Sequence, residues 1–152
     1  MAVVTQSGWA VDTKDLPWVP MQPKDGSAPR AWAKILHLDV ERNIVIMLNK
    51  VAKGTALPDH THLCEAIGYT LSGRWSYRDL ELQPDWFGVE PTGTEHAPEY
   101  QEDTVALIVF LGESPELLRT KLPDGREITT TIDTFIELKK AQDTLIGIDP
   151  AR

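Results

Sequence analysis

Histidine is scarce in this chain of 152 residues, and three of its four copies fall into two short phrases. One is Gly54-Thr-Ala-Leu-Pro-Asp-His60-Thr-His62; the other is Pro91-Thr-Gly93-Thr-Glu-His96. In extended chain, residues i and i+2 project to one face, so the imidazoles of His60 and His62 can reach a common ion. A returning strand that brings His96 alongside completes a facial set of nitrogen ligands. The expectation is one divalent metal per chain on His60, His62 and His96. Unrelated surface or core histidines have no reason to share this spacing and these flanking Gly and Pro residues.

The neighbouring side chains carry weaker signals. Glu65 is the nearest carboxylate after the His pair. If the alternation of the following strand extends back to it, positions 65, 67 and 69 share the inward face. It then either reaches the metal by a local bulge or stands as a carboxylate at the rim of the loop. Cys64 is expected to be a buried, unreactive thiol, with ligation of a soft metal as the alternative. His37 lies in a predicted strand without a motif and reads as a hydrogen-bonded structural residue.

These groups need a scaffold of strands. The β-branched and aliphatic runs Trp32 to Leu38 and Ile44 to Val51 predict two strands joined by a turn at Glu41 to Asn43. A Gly/Pro loop from Lys53 to Asp59 leads into the His pair. Between Tyr69 and Asp79, residues Tyr69, Leu71, Gly73, Trp75 and Tyr77 alternate with polar residues, which predicts one strand with a single wet face. On that reading Tyr69 and Tyr77 line the pocket, and Leu71 and Trp75 line the interior or simply pack the core. Further strands are predicted at Trp86 to Glu90, His96 to Tyr100 and Thr104 to Leu111.

Asp124-Gly125 marks the turn of a terminal hairpin between Leu117 to Leu122 and Glu127 to Ile132. The capping-box spacing of Thr134 and Glu137 predicts a short helix to about Asp143, stopped by Gly147. Residues 1–30 contain Pro17, Pro20, Pro23, Gly26 and Pro29 and predict an irregular arm that packs by its tryptophan. The whole reads as an arm over residues 1–30 and a single domain over 31–152. Many short strands separated by turn residues predict an all-β barrel or sandwich.

Composition narrows the partners. The formal charge is −8, with no clustered stripe of Lys and Arg, which argues against nucleic acid and anionic membrane surfaces. A single cysteine excludes an intrachain disulfide. The first eighteen residues lack the features of a signal peptide, and no run approaches the roughly twenty apolar residues of a membrane span, so the expected compartment is the cytoplasm.

The two histidine phrases closely resemble the paired motifs of the cupin superfamily. Gly54, His60, His62 and Gly73 match the first motif, and Pro91, Gly93 and His96 match the second. The resemblance runs from about Asp15 to Glu113 and implies a small jelly-roll-like β-barrel. Two positions depart from the pattern. Asp85 stands where a glycine commonly opens the second motif, and Ala66 and Ile67 stand where many cupins place a glutamate ligand. The resemblance therefore implies a three-histidine site.

Asp15-Leu-Pro-Trp-Val, Gly68-Tyr-Thr-Leu-Ser-Gly-Arg-Trp75-Ser-Tyr77 and Glu90-Pro-Thr-Gly narrow the likeness to ChrR-like cupins, which include acetylacetone-cleaving and dihydroxyacetophenone dioxygenases. That resemblance implies a ferrous site that binds a substrate enolate and cleaves a carbon–carbon bond with O₂. It also implies that Glu90 hydrogen-bonds the third metal histidine; the alternative is an exposed strand carboxylate.

Neutral imidazoles leave the metal charge uncompensated, which favours a chelating anion such as the enolate of a small 1,3-diketone or hydroxyaryl ketone. Fe(II) is the metal expected for activity, while Zn²⁺ or Ni²⁺ fit the same ligands. The rival reading is a non-catalytic, metal-dependent small-molecule binding or sensor cupin. A metal-assisted isomerase or hydrolase is a third. A homodimer is implied by resemblance alone.

Overall fold

The computed structural model describes residues 2–5, 7–23 and 25–148. A hairpin of β1 (Ala2–Thr5) and β2 (Gly8–Val11) is followed by a 3₁₀ turn at Thr13–Asp15 and by β3 (Val19–Pro20). The long strands β4 (Ala31–Asp39) and β5 (Ile44–Val51) come next, then β6 (His60–His62), β7 (Glu65–Ser72), β8 (Trp75–Tyr77) and β9 (Leu80–Leu82). They are followed by β10 (Phe87–Glu90), β11 (Glu95–His96), β12 (Glu99–Tyr100) and β13 (Thr104–Leu111). The hairpin of β14 (Glu116–Lys121) and β15 (Glu127–Thr131) leads into α1 (Ile132–Leu145).

All strand pairs are antiparallel. The main sheet has the order β10-β7-β13-β5-β4-β3, faced by a four-stranded sheet β11-β6-β14-β15 and a three-stranded sheet β12-β8-β9. This is the all-β, jelly-roll arrangement with one terminal helix that the resemblance implies. Ile35, Val45, Met47, Ala66 and Phe110 of the main sheet pack against Leu117 of β14 and against Ile132 and Phe135 of α1. A second cluster joins Val51 to Trp75, Tyr77, Leu82 and Tyr100, with the Trp75 and Tyr100 rings stacked at 5.7 Å. Burying these large apolar groups supplies the main drive to fold.

The first thirty residues are more regular than the sequence suggests. Asp12 caps the 3₁₀ turn by accepting from the Lys14 amide, and β3 extends the main sheet by pairing Val19 and Pro20 with Ala33 and Trp32. Proline is admissible there because β3 is an edge strand. Trp18 does pack on the sheet, beneath the ammonium groups of Lys34 and Lys50 at 4.7 and 4.6 Å from its ring centre.

The predicted strand from Tyr69 to Asp79 divides in two, and its faces exchange at the break. In β7 the buried residues are Ala66 and Thr70, while Leu71 is exposed. In β8 the buried residues are Trp75 and Tyr77. Gly73 makes the change possible: its φ is +84°, and a Cβ there would fall 2.2 Å from the Asp103 carbonyl oxygen. Only glycine fits.

The helix begins two residues before the expected cap. Thr131 is its N-cap and uses no side-chain hydrogen bond, so Thr134 and Glu137 form no capping box. Gly147, with φ +79°, follows the end of the helix.

β3 pairs with β4 only at Ala33 and Trp32, so the next edge groups of β4 need other partners. Gln142 of α1 provides them. Its Oε1 accepts from the Ile35 amide at 2.8 Å, and its Nε2 donates to the Ile35 carbonyl at 3.0 Å. The side chain acts as a surrogate strand where β4 shifts register against β5, between Ile35 and His37.

Candidate metal centre

The geometry of the centre starts from one antiparallel pairing. β11 runs back along β6 with His96 opposite His60. The Pro91 to Thr94 turn is closed by the Thr94 amide and hydroxyl, both donating to the Pro91 carbonyl. Its Gly93 amide donates to the His62 carbonyl, and the His62 amide donates to the Thr94 carbonyl, each at 2.8 Å. These bonds bring the two sequence phrases together.

The three side chains converge. The candidate ligand nitrogens of His60, His62 and His96 lie within 4.8 Å of one another. Nε2 of His96 is 3.0 Å from Nε2 of His62 and 3.0 Å from Nε2 of His60. Nδ1 of His60 is 2.9 Å from the Pro58 carbonyl, which can only accept, so the proton sits on Nδ1 and the Nε2 lone pair faces the cluster.

Burial drives all three imidazoles toward the neutral form. It lowers the pKa of His60 against the opposing pull of Pro58 and Asp59. Burial and then the His60 charge lower His62 to about 4. Burial, followed by the charges of His60, His62 and Arg78, lowers His96 to about 3. Neutral rings carry one proton each; with that proton on Nδ1 in all three, as in His60, three Nε2 lone pairs point inward and cannot satisfy one another by hydrogen bonds. A shared divalent cation would satisfy all three lone pairs, so the donor set fits a first-row metal such as iron, nickel or zinc.

Glu90 ends β10 and turns its carboxylate into the same space. Oε2 is 3.0 Å from Nε2 of His62, and Oε1 is 3.5 Å from Nδ1 of His96. The carboxylate therefore approaches His62 more closely than the histidine named by the resemblance. Burial raises its pKa, and hydrogen bonding by Tyr77 opposes that rise. The Tyr77 ring meets His96 edge-on at 4.3 Å.

These groups form one wall of an open cavity of about 1300 Å³. Its lining is mostly apolar and includes Met21, Leu57, Ile108, Phe110, Leu118 and Leu138. The contributions of the N-terminal arm and of α1 to this lining were not apparent from the sequence, nor was that of Tyr100. They depend on how distant segments dock.

Other expected positions fall elsewhere. Tyr69 is a correction: it lies outside the cavity lining, on the outer face of β7, and its hydroxyl donates to Asp85 at 2.7 Å. The strand phase that puts Ala66 and Thr70 inside puts Tyr69 outside. Leu71 is outward for the same reason, whereas Trp75 and Tyr77 line the cavity. Glu65 is exposed and stands outside the histidine cluster. Cys64 is fully buried and its pKa is pushed up by burial to about 11, as suits an inert thiol. His37 faces Trp9, with ring centres 5.9 Å apart.

Residues 6–115 match the ChrR cupin-like domain family. The chain belongs to the ChrR-like cupins. Among solved structures, this cupin is similar to an RmlC-like cupin from Ralstonia eutropha JMP134, with a TM-score of 0.78 and 26% identity over 93% of this chain and 90% of that one. It also shares its fold with an acetylacetone dioxygenase from Acinetobacter johnsonii, at a TM-score of 0.71 and 16% identity over 88% and 90% of the two chains. The polyketide cyclase RemF from Streptomyces resistomycificus aligns at a TM-score of 0.61 and 20% identity, over 76% and 87%. No curated protein matches the sequence. No helix among the described residues is long and apolar enough to cross a membrane.

Proposed function

We propose that this cupin is a metal-dependent dioxygenase that cleaves a carbon–carbon bond in a 1,3-diketone or hydroxyaryl ketone bound as a chelate. The observation that carries the reading is the convergence of three Nε2 atoms, that of His96 lying 3.0 Å from each of the other two, at the wall of a largely apolar cavity. Membership of the ChrR-like cupins and the fold shared with an acetylacetone dioxygenase support it. His60, His62 and His96 would hold the metal, with Fe(II) as the active form. Bound there, the metal supplies Lewis acidity toward an anionic dioxygen-donor ligand and electrons toward O₂.

The protein's own groups do the rest. The Pro58 carbonyl fixes the His60 tautomer, and burial keeps His62 and His96 unprotonated at neutral pH. Glu90, 3.0 Å from Nε2 of His62 and 3.5 Å from Nδ1 of His96, would orient these rings and is itself steadied by Tyr77. The apolar lining excludes water from the reacting carbons and accepts the substituents of the ketone. A cytoplasmic homodimer is part of the same reading.

Anaerobic titration of the ferrous protein with diketones and hydroxyacetophenones tests it, followed by oxygen-electrode assays. Chelation should change the iron absorption before O₂ is admitted, and O₂ uptake should then need both iron and ketone. Glu90→Gln should slow turnover more than it reduces metal content. Binding without O₂ uptake leaves the sensor or binding cupin. No perturbation of the iron spectrum removes the chelate altogether.

A further inference from the structure

Two glycines stand in the middle of the cavity wall where glycine has no backbone reason to be. Gly68 of β7 and Gly88 of β10 pair directly in the ladder, and both line the cavity. The pairing of β10 with β7 runs without a register shift, and neither glycine has a positive φ. Glycine weakens a strand relative to alanine.

Packing does not require them either. A Cβ at Gly88 would meet nothing within 4 Å, and one at Gly68 would make only ordinary contact with Ile108 Cδ1 at 3.6 Å. The missing side chains leave a flat strip of exposed peptide inside an otherwise lined cavity. Interiors are close-packed, so a strip kept bare on a cavity wall is space reserved for a ligand.

The position of the strip identifies that ligand. Glu90 is the next residue on the same face of β10, about 7 Å along the strand, and its carboxylate is 3.0 Å from Nε2 of His62. A planar chelate held by the three histidines would thus have the bare strip beside it. Thr70, the next inward residue of β7, has its hydroxyl engaged as acceptor for the Trp75 indole, and Ile108 supplies an apolar edge.

We propose that Gly68 and Gly88 form a floor for a flat aryl group. The substrate class is then an aryl-substituted 1,3-diketone or a hydroxyaryl ketone rather than a short aliphatic diketone, and Gly88 is a specificity-determining position. This rests on the chelate reading of the metal site but not on oxygen chemistry.

The test uses the zinc-loaded protein and two planar O,O-chelating anions, acetohydroxamate and benzohydroxamate, with affinities measured by calorimetry. The wild type should prefer the phenyl ligand by about 30-fold, from the extra apolar surface removed from water. Gly88→Leu should retain zinc and acetohydroxamate affinity while the phenyl preference falls below about 3-fold. Gly88→Ala, which should melt no lower than wild type, should show an intermediate preference and carries the test if the leucine variant does not fold. An unchanged phenyl preference in the variants, or none in the wild type, overturns the floor alone. Failure of the wild type to take up zinc or to bind either hydroxamate overturns the chelate reading and the floor with it.

Discussion

Replacing Gln142 with leucine should unfasten the helix from the sheet. Gln142 is 1% exposed and Ile35 is 2% exposed, so water cannot substitute for the two hydrogen bonds between them. Each stranded buried backbone group costs about 1–3 kcal/mol. Burying leucine in place of an amide returns about 1–2 kcal/mol of that. The net loss should be about 1–4 kcal/mol, or roughly 3–15 °C in Tm for a domain of this size. Urea unfolding followed by circular dichroism measures it, with the slope checked for two-state behaviour. A loss below about 0.5 kcal/mol would show that the β4 edge finds other partners and that Gln142 is not the fastener.

Phe135→Ala should cost about 3–5 kcal/mol in the same assay, because Phe135 is 2% exposed and joins α1 to Phe110; a loss under about 1 kcal/mol would mean that the site collapses freely. His62→Ala should leave the purified protein nearly metal-free by elemental analysis while it still unfolds cooperatively; full occupancy would remove the three-histidine assignment. Cys64 should resist a disulfide reagent until the chain is unfolded. Its pKa rises from an ordinary 9.0 to about 11, so its share of stability is complete below about pH 9 and is lost as pH climbs through about 11; rapid labelling of the native protein at neutral pH would contradict the burial.

The histidine cluster was legible because convergence on one point imposes spacing on the sequence. Two ligands on one short strand and a third opposite them need i, i+2 and a tight Pro-x-Gly turn, and those residues are present in order. The long strands were legible for a similar reason, since β4, β5 and β13 carry aliphatic runs that only buried strands can use. What misled was phase. An unbroken alternation from Tyr69 to Tyr77 assumes one flat strand, whereas the chain turns at Gly73 and reverses which residues face inward. Gly73 was recognised as a motif residue, but the close approach of the Asp103 carbonyl that requires it belongs to a segment thirty residues away. Gln142 had no signature either, because a lone polar residue in a helix looks solvent-facing until its partner strand is known.

If the three histidines hold a divalent cation as proposed, charge connects the site to its substrate. Three neutral imidazoles bring no negative charge to a divalent cation, and the one carboxylate in reach, Glu90, has its pKa raised by burial. An anionic ligand is therefore favoured over a neutral one, and a chelating enolate brings two oxygens and one negative charge at once. On the proposed reading, a bare floor beside the chelate would sort anions by the shape of what they carry, with affinity arising at the histidines and selectivity at the glycines.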